Sequence, residues 1–303
     1  MIFAEQALPA CTAEIAAWIG SPALTALLTA FDCPPPQATG LGARLAEVER
    51  FSEVWDFRHG RERHQSTAQD FTPELDELVA AAAVSLGLAG RERPLRDSYD
   101  HLLVLGGGVL TMVARAALAA SILQSGVTAA TVAGLGSLRP LENQEEIAER
   151  LGLRLCPTEG DAVDEALRQH LKLGDPADRT EGPDWWIRSY PDASPVVHVL
   201  AAPSTRPGQR ANTADTFLAW AGLQEPGARV LLVTTDLFVP FQHCDAVRVL
   251  GLGHGYRIET VGFSRATSVW LRPAQTYELL QETRSAIRSM RALHTALEDC
   301  RKG

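Results

Sequence analysis

HLLVLGGGVLTMVARAALAA, residues His101 to Ala120, reads as a buried apolar strand, three glycines and the start of a long apolar helix. The chain downstream repeats that unit. LLVL at 102–105 precedes a predicted helix over about 109–124, and ATVAGLG at 130–136 precedes a loop and a helix near 142–151. VVHVLAA at 196–202 precedes a helix over about 211–222. RVLLVTT at 229–235 precedes one beginning near Pro240, and YRIETVGF at 256–263 is the last strand. Continuous apolar strands separated by helices mean a parallel sheet covered on both faces. Right-handed crossovers then give an α/β, Rossmann-like doubly wound sheet of about five strands.

Residues 1–95 form a different region, helical and without a convincing strand. Apolar residues recur at helical spacing in TAEIAAWIG and PALTALLTAF, until CPPPQATG breaks the pattern. GARLAEVERFSEVWDFR and TPELDELVAAAAVSLGL supply two more amphipathic segments, the second opened by Thr72 as cap with Pro73 at N1. Gly90 to Pro94 marks the boundary with an α/β domain over 96–303. That domain ends in a helix over 274–299, with Leu280, Ile287, Met290, His294 and Leu297 along one stripe. Such a stripe packs on its own domain or forms a homodimer contact.

The chain has 303 residues and a net charge of -9, and no lysine- or arginine-rich block stands out. A phosphate-tracking nucleic-acid surface is not expected. MIFAEQALPA lacks the basic and apolar pattern of a secretory signal. The apolar run from Leu102 to Ala114 is shorter than the roughly 18–20 residues a membrane span needs. The five cysteines, Cys11, Cys33, Cys156, Cys244 and Cys300, are scattered and odd in number, as free thiols in a reducing cytoplasm would be. The expectation is a soluble cytoplasmic protein with a small-molecule substrate and no membrane partner.

In an open parallel sheet, ligands bind beyond the carboxyl ends of the strands. Gly106, Gly107 and Gly108 follow the first strand there. Their backbone can turn sharply and aim N–H groups at an anion beside a helix N-terminus. They can equally be a plain packing turn. Thr111 stands where a dinucleotide fingerprint has its third glycine, and no acid ends ATVAGLG, so NAD is disfavoured. TEGDAVDEAL offers Thr158 and Asp161 as helix caps and leaves Glu159 free. RANTADT places Asn212 and Thr213 after the third strand, where either can be an N-cap. VTTD puts Thr234, Thr235 and Asp236 at the end of the fourth.

A further cluster, WDFRHGRERHQ at 55–65, packs Arg58, His59, Arg61, Arg63 and His64 into an otherwise acidic region. Guanidinium groups suit phosphate or carboxylate. Folded over the strand ends, Arg58 would act as a cationic lid; otherwise the cluster is a solvated face paired with glutamates. No G-x-S-x-G, H-E-x-x-H, CxxC or Walker A lysine is present. His59 with His64, or His243-Cys244-Asp245, are the nearest approach to a metal set, and no metal is predicted.

The order of these pieces resembles the YdcF-like family, which includes SanA and ElyC, over roughly residues 98–265. The matches are Leu105-Gly106-Gly107-Gly108, Gly134 to Ser137, Thr158-Glu159, Asn212-Thr213 and Val233-Thr234-Thr235. Phe238 and Phe241 fall where that family often has His and Arg. The resemblance implies a cytoplasmic protein that binds S-adenosylmethionine.

Three functions follow as alternatives. The first is an enzyme that holds a nucleotide-like ligand, S-adenosylmethionine foremost, and acts on a small molecule in a specialised pathway. Gly106 to Gly108 would lie against the ligand, Glu159 would accept a hydroxyl or amine hydrogen bond, and Thr158, Asn212, Thr213, Thr234 and Thr235 would complete the rim. The second is a phosphoester or glycosyl-phosphate enzyme, in which the glycines and Arg58 hold a phosphate and Glu159 or Asp236 acts as base. The third is a non-catalytic binding module.

Overall fold

The computed structural model describes residues 8–34, 36–59, 68–141, 144–154, 156–206 and 208–302. Among the described residues four α-helices come first: α1 (Leu8–Ile19), α2 (Pro22–Ala30), α3 (Leu41–Phe51) and α4 (Pro73–Ser85). Two begin on the same chemistry. Ser21 and Thr72 are extended, accept the backbone N–H three residues on through their hydroxyls, and are followed by proline. Ala10–Ala30 is long and apolar enough to cross a membrane by length and composition. It is broken between Ile19 and Pro22, however, and Ile15, Trp18, Leu24 and Leu27 are buried in the core.

The rest runs β1 (Ser98–Leu105), α5 (Val109–Gln124), β2 (Thr128–Ser137), α6 (Glu145–Arg150), α7 (Glu159–Leu171), β3 (Asp178–Glu181), β4 (Trp186–Tyr190) and β5 (Val196–Ala202). Then come α8 (Thr213–Ala221), β6 (Arg229–Thr235), α9 (Val239–Ala246), a π turn at Val247–Gly251, α10 (Leu252–His254), β7 (Arg257–Phe263) and α11 (Thr276–Lys302). The strands form one sheet in the order β3-β4-β5-β2-β1-β6-β7. Five are parallel, and β3 and β4 add an antiparallel hairpin beside β5. Where five strands were expected, the described residues form seven. Strand β3, Asp-Arg-Thr-Glu, has no apolar residue and is exposed throughout, so its pairing leaves no hydrophobic pattern.

Alternation along β1 assigns the two faces. Leu102 and Val104 join Val113, Val163 and Leu167 beneath α5 and α7. Leu103 and Leu105 enter a second core with Phe217 and Trp220 of α8, Ile287 and Met290 of α11, and Leu24, Leu45 and Val79 of the N-terminal helices. The stripe on α11 is thus spent inside the chain, with Leu280, Ile287, Met290 and Leu297 buried and His294 against Gly42.

One contact sets the height of α7 on the sheet. Gly134 and Gly136 stand on the same face of β2. A Cβ on Gly134 would lie 2.6 Å from Val163, and one on Gly136 would lie 2.6 Å from the Cα of Gly160. Gly160 has no more room, since its own Cβ would lie 2.8 Å from Ala201 and Trp186. The first turn of α7 therefore meets β2 backbone to backbone, and Glu159 is delivered to the strand ends.

Gly136→Ala should cost roughly 1–3 kcal/mol in chemical denaturation, because only backbone movement relieves the clash. Gly174→Ala, where a Cβ meets nothing within 4 Å, should be near neutral. Equal stability of the two variants would contradict the packing described.

Candidate functional site

At the carboxyl ends of β1 and β2 the chain gathers a small cluster of polar groups. The N–H of Gly106 donates to the Leu135 carbonyl at 2.7 Å, which draws the glycine turn onto β2. Glu159 closes over it. A Cβ on Gly106 would lie 2.8 Å from the Leu135 carbonyl oxygen and 2.9 Å from the Glu159 carboxyl carbon, so glycine lets the turn lie against both. Ser137 donates to Glu159 Oε2 at 2.6 Å and Arg139 to Oε1 at 3.1 Å. The same guanidinium donates to the Gly107 carbonyl at 3.0 Å.

Gly108 is the N-cap of α5 and contributes no side chain to capping. Gln144 does so from outside: its Oε1 accepts the N–H of Val109 at 2.7 Å. The excursion that carries Gln144 is pinned at its base by Leu141 N–H to the Pro157 carbonyl at 3.1 Å and Glu159 N–H to the Arg139 carbonyl at 2.9 Å. The N–H groups of Gly107 and Gly108 meet no acceptor among the described residues. The cluster thus combines a cation, a carboxylate, a hydroxyl and open backbone donors, a set able to bind an oxyanion and a hydroxyl side by side.

Between β1 and β6, where the strand order turns, the space is filled. Arg115 of α5 is 1% exposed. It donates to the Leu105 carbonyl at 2.9 Å, to the Gly106 carbonyl and to Thr235 Oγ1 at 3.1 Å, with its guanidinium 5.7 Å from the Phe238 ring centre. The glycine turn is held from below by this arginine.

The remaining expected residues lie elsewhere. Thr158 caps α7, accepting the Asp161 N–H at 3.3 Å and donating to the Asp161 carboxylate at 2.6 Å. Asn212 caps α8 in a reciprocal box with Asp215, and Thr213 is the first residue of that helix. Thr234 is buried against Gln242. Asp236 accepts from the N–H groups of Leu237 at 2.7 Å and Arg265 at 3.2 Å. Arg58 pairs with Glu282 of α11 and lines a groove with Phe241, Arg248 and Arg288, away from the glycines. His243 is buried against Thr260 at 2.9 Å. Arg61, Arg63 and His64 lie outside the described residues. Among the described residues no three His, Cys, Asp or Glu side chains come together to hold a metal.

Of the expected residues, then, Gly106 to Gly108 and Glu159 share the cluster, and Thr235 touches it through Arg115. Sequence reasoning missed Arg115, Arg139 and Gln144 as members. Arg115 was visible as a lone charge in the apolar helix VLTMVARAALAA. Arg139 and Gln144 lie in an excursion with no periodicity to place them.

The chain matches the family model described as Rv3785 N-terminal domain over residues 4–87. Uncharacterized protein Rv3785 of Mycobacterium tuberculosis and uncharacterized protein Mb3814 of Mycobacterium bovis are each 31% identical to it over 332 aligned residues, covering 97% of this chain and 92% of the relative. The chain belongs to the Rv3785 family. No solved structure matches it. Membership along almost the whole length overturns the resemblance to the YdcF-like family, which rested on short motifs over about half the chain. Glycine turns, polar caps and strand-end threonines recur because parallel sheets demand the same backbone geometry at each turn.

Asp236 carries the clearest titration. Burial pushes its carboxyl up from 3.8 to about 6. With the folded value above the unfolded one, protonation contributes stability that is complete below pH 3.8 and lost as pH rises through about 6. Asp236→Asn cannot ionise, so it should gain on the wild type between about pH 4 and about pH 7, by up to roughly 3 kcal/mol. Denaturation curves at the two pH values check this; a pH-independent difference between the proteins would refute it.

Proposed function

We propose that this member of the Rv3785 family binds a nucleotide-like small molecule over the carboxyl ends of β1 and β2 and acts on a ligand held there. The observation that carries the reading is the Glu159 carboxylate seated against Gly106, bonded to Ser137 and Arg139, beside the open N–H groups of Gly107 and Gly108. A ribose-like hydroxyl donates to Glu159, and an oxyanion on the same ligand takes Arg139 and the glycine N–H groups. The acid that ATVAGLG lacks at the end of β2 arrives instead from the first turn of α7.

Topology supports this placement. We read the parallel strands in the order β5-β2-β1-β6-β7, with helices on both faces, as a Rossmann-like doubly wound sheet, whose ligands lie beyond the carboxyl ends. Arg115 fills the space between β1 and β6, so the ligand sits on the β2 side of the turn. S-adenosylmethionine remains one member of the ligand class, now on the strength of the cluster alone.

Isothermal titration with AMP, ADP, ATP, S-adenosylmethionine and S-adenosylhomocysteine tests the reading. At least one should bind saturably, and Glu159→Gln and Arg139→Gln should each weaken it about tenfold, or about 1.4 kcal/mol. Binding that both variants retain in full, or no binding by any of the five, would defeat it.

A further inference from the structure

A groove of about 740 Å³ runs along α11, bordered by the end of α3 and by α9. On α11 its lining extends from Ser285 to Asp299, roughly 21 Å of helix. Four arginines line it, Arg58, Arg248, Arg288 and Arg291, against two acids, Glu49 and Asp299. On a chain of net charge -9 this is a local reversal of sign. The guanidiniums are set on carboxylates of the chain. Glu49 meets Arg291 with one oxygen at 2.7 Å and Arg288 with the other at 3.7 Å. Arg58 pairs with Glu282, and Arg248 stands 3.7 Å from Asp245. That engagement is partial. Arg288 and Arg291 keep 62% and 47% of their side-chain surface exposed, and a guanidinium has five N–H donors. Arg248 Nε is buried with no acceptor among the described residues.

We infer that this groove docks an acidic peptide segment of a partner protein, whose carboxylates are taken by Arg288, Arg291 and Arg248. The inference is independent of the glycine turn and its ligand. Three features choose the occupant. Carboxylate is the group these guanidiniums already hold, in Glu49 and Asp245. The arginines come from α11, the π turn and the segment after α3, a spread that suits several carboxylates on one chain better than a single phosphate. The length of the groove matches about six residues of extended peptide, and Ser289, Ala292 and Ala296 are small enough to leave its backbone room. Glu49 is then the internal competitor, a carboxylate of the chain placed where those of the peptide dock.

Titration of the full chain with hexaglutamate blocked at both ends, at low ionic strength, tests this, with tripolyphosphate as the second probe. Hexaglutamate should bind saturably and more weakly as salt is added. Replacing Arg288 and Arg291 together by Gln should weaken it roughly tenfold, since two exposed pairs are lost. Replacing Arg154 and Arg179 by Gln changes the net charge equally, at exposed positions outside the groove, and should leave the affinity unchanged. Glu49→Gln removes the competitor and should tighten binding by roughly two- to fivefold. Weakening confined to the groove pair, with tightening in Glu49→Gln, supports the inference. Equal weakening in the two double variants shows attraction to charge alone and overturns it. So does an affinity that Glu49→Gln leaves unchanged or lowers. Failure of hexaglutamate to bind, whether or not tripolyphosphate binds, overturns it as well.

Discussion

The site depends on how closely α7 can approach β2. Three glycines permit it, with Gly134 and Gly136 on the strand and Gly160 on the helix, each with a neighbour where a Cβ would be. Interiors are close-packed, so one added methyl there must move backbone rather than a side chain. Because α7 sits that low, its first residue reaches the end of β1, and Glu159 comes to rest on Gly106. Ser137, the last residue of β2, then lies within 2.6 Å of the same carboxylate. The β3–β4 hairpin is tied to this helix as well. Arg188 bonds Asp161 and Asp164, each at 2.7 Å, with its guanidinium 4.0 Å from the Trp186 ring centre.

Arg115 is the second constraint. A guanidinium buried to 1% exposure is tolerated because its donors meet carbonyls and a hydroxyl. Its partners are the last carbonyl of β1, the first of the glycine turn and the Thr235 hydroxyl of β6. It locks the turn to the neighbouring strand and fills the space between β1 and β6. The donors left open in the turn, among the described residues, are those of Gly107 and Gly108.

Much of the architecture was legible. Strands β5 and β6 and helix α5 begin and end where their apolar runs do, at 196–202, 229–235 and 109–124. Those elements are buried on both faces or along a wide stripe, so composition marks them directly. The hairpin was not legible, because exposed Asp178–Glu181 pairs through backbone alone. Capping chemistry was readable at Thr72, Thr158 and Asn212, where it accounts for the side chain. Glu159 was readable only as the acid that capping left over. Its partner Arg139 lies 20 residues earlier in a loop, and no local pattern links the two. The family likeness failed for a related reason: motifs of two to four residues at strand ends report the turn geometry, not descent.

The most direct test follows backbone amides during titration with AMP and S-adenosylmethionine by nuclear magnetic resonance. If the cluster is the ligand site, the largest shifts for a binding ligand fall on Gly107, Gly108, Ser137 and Glu159, with smaller ones at Thr235. Shifts centred on Asn212 or Asp236 instead, or none at the glycine turn, would contradict the account.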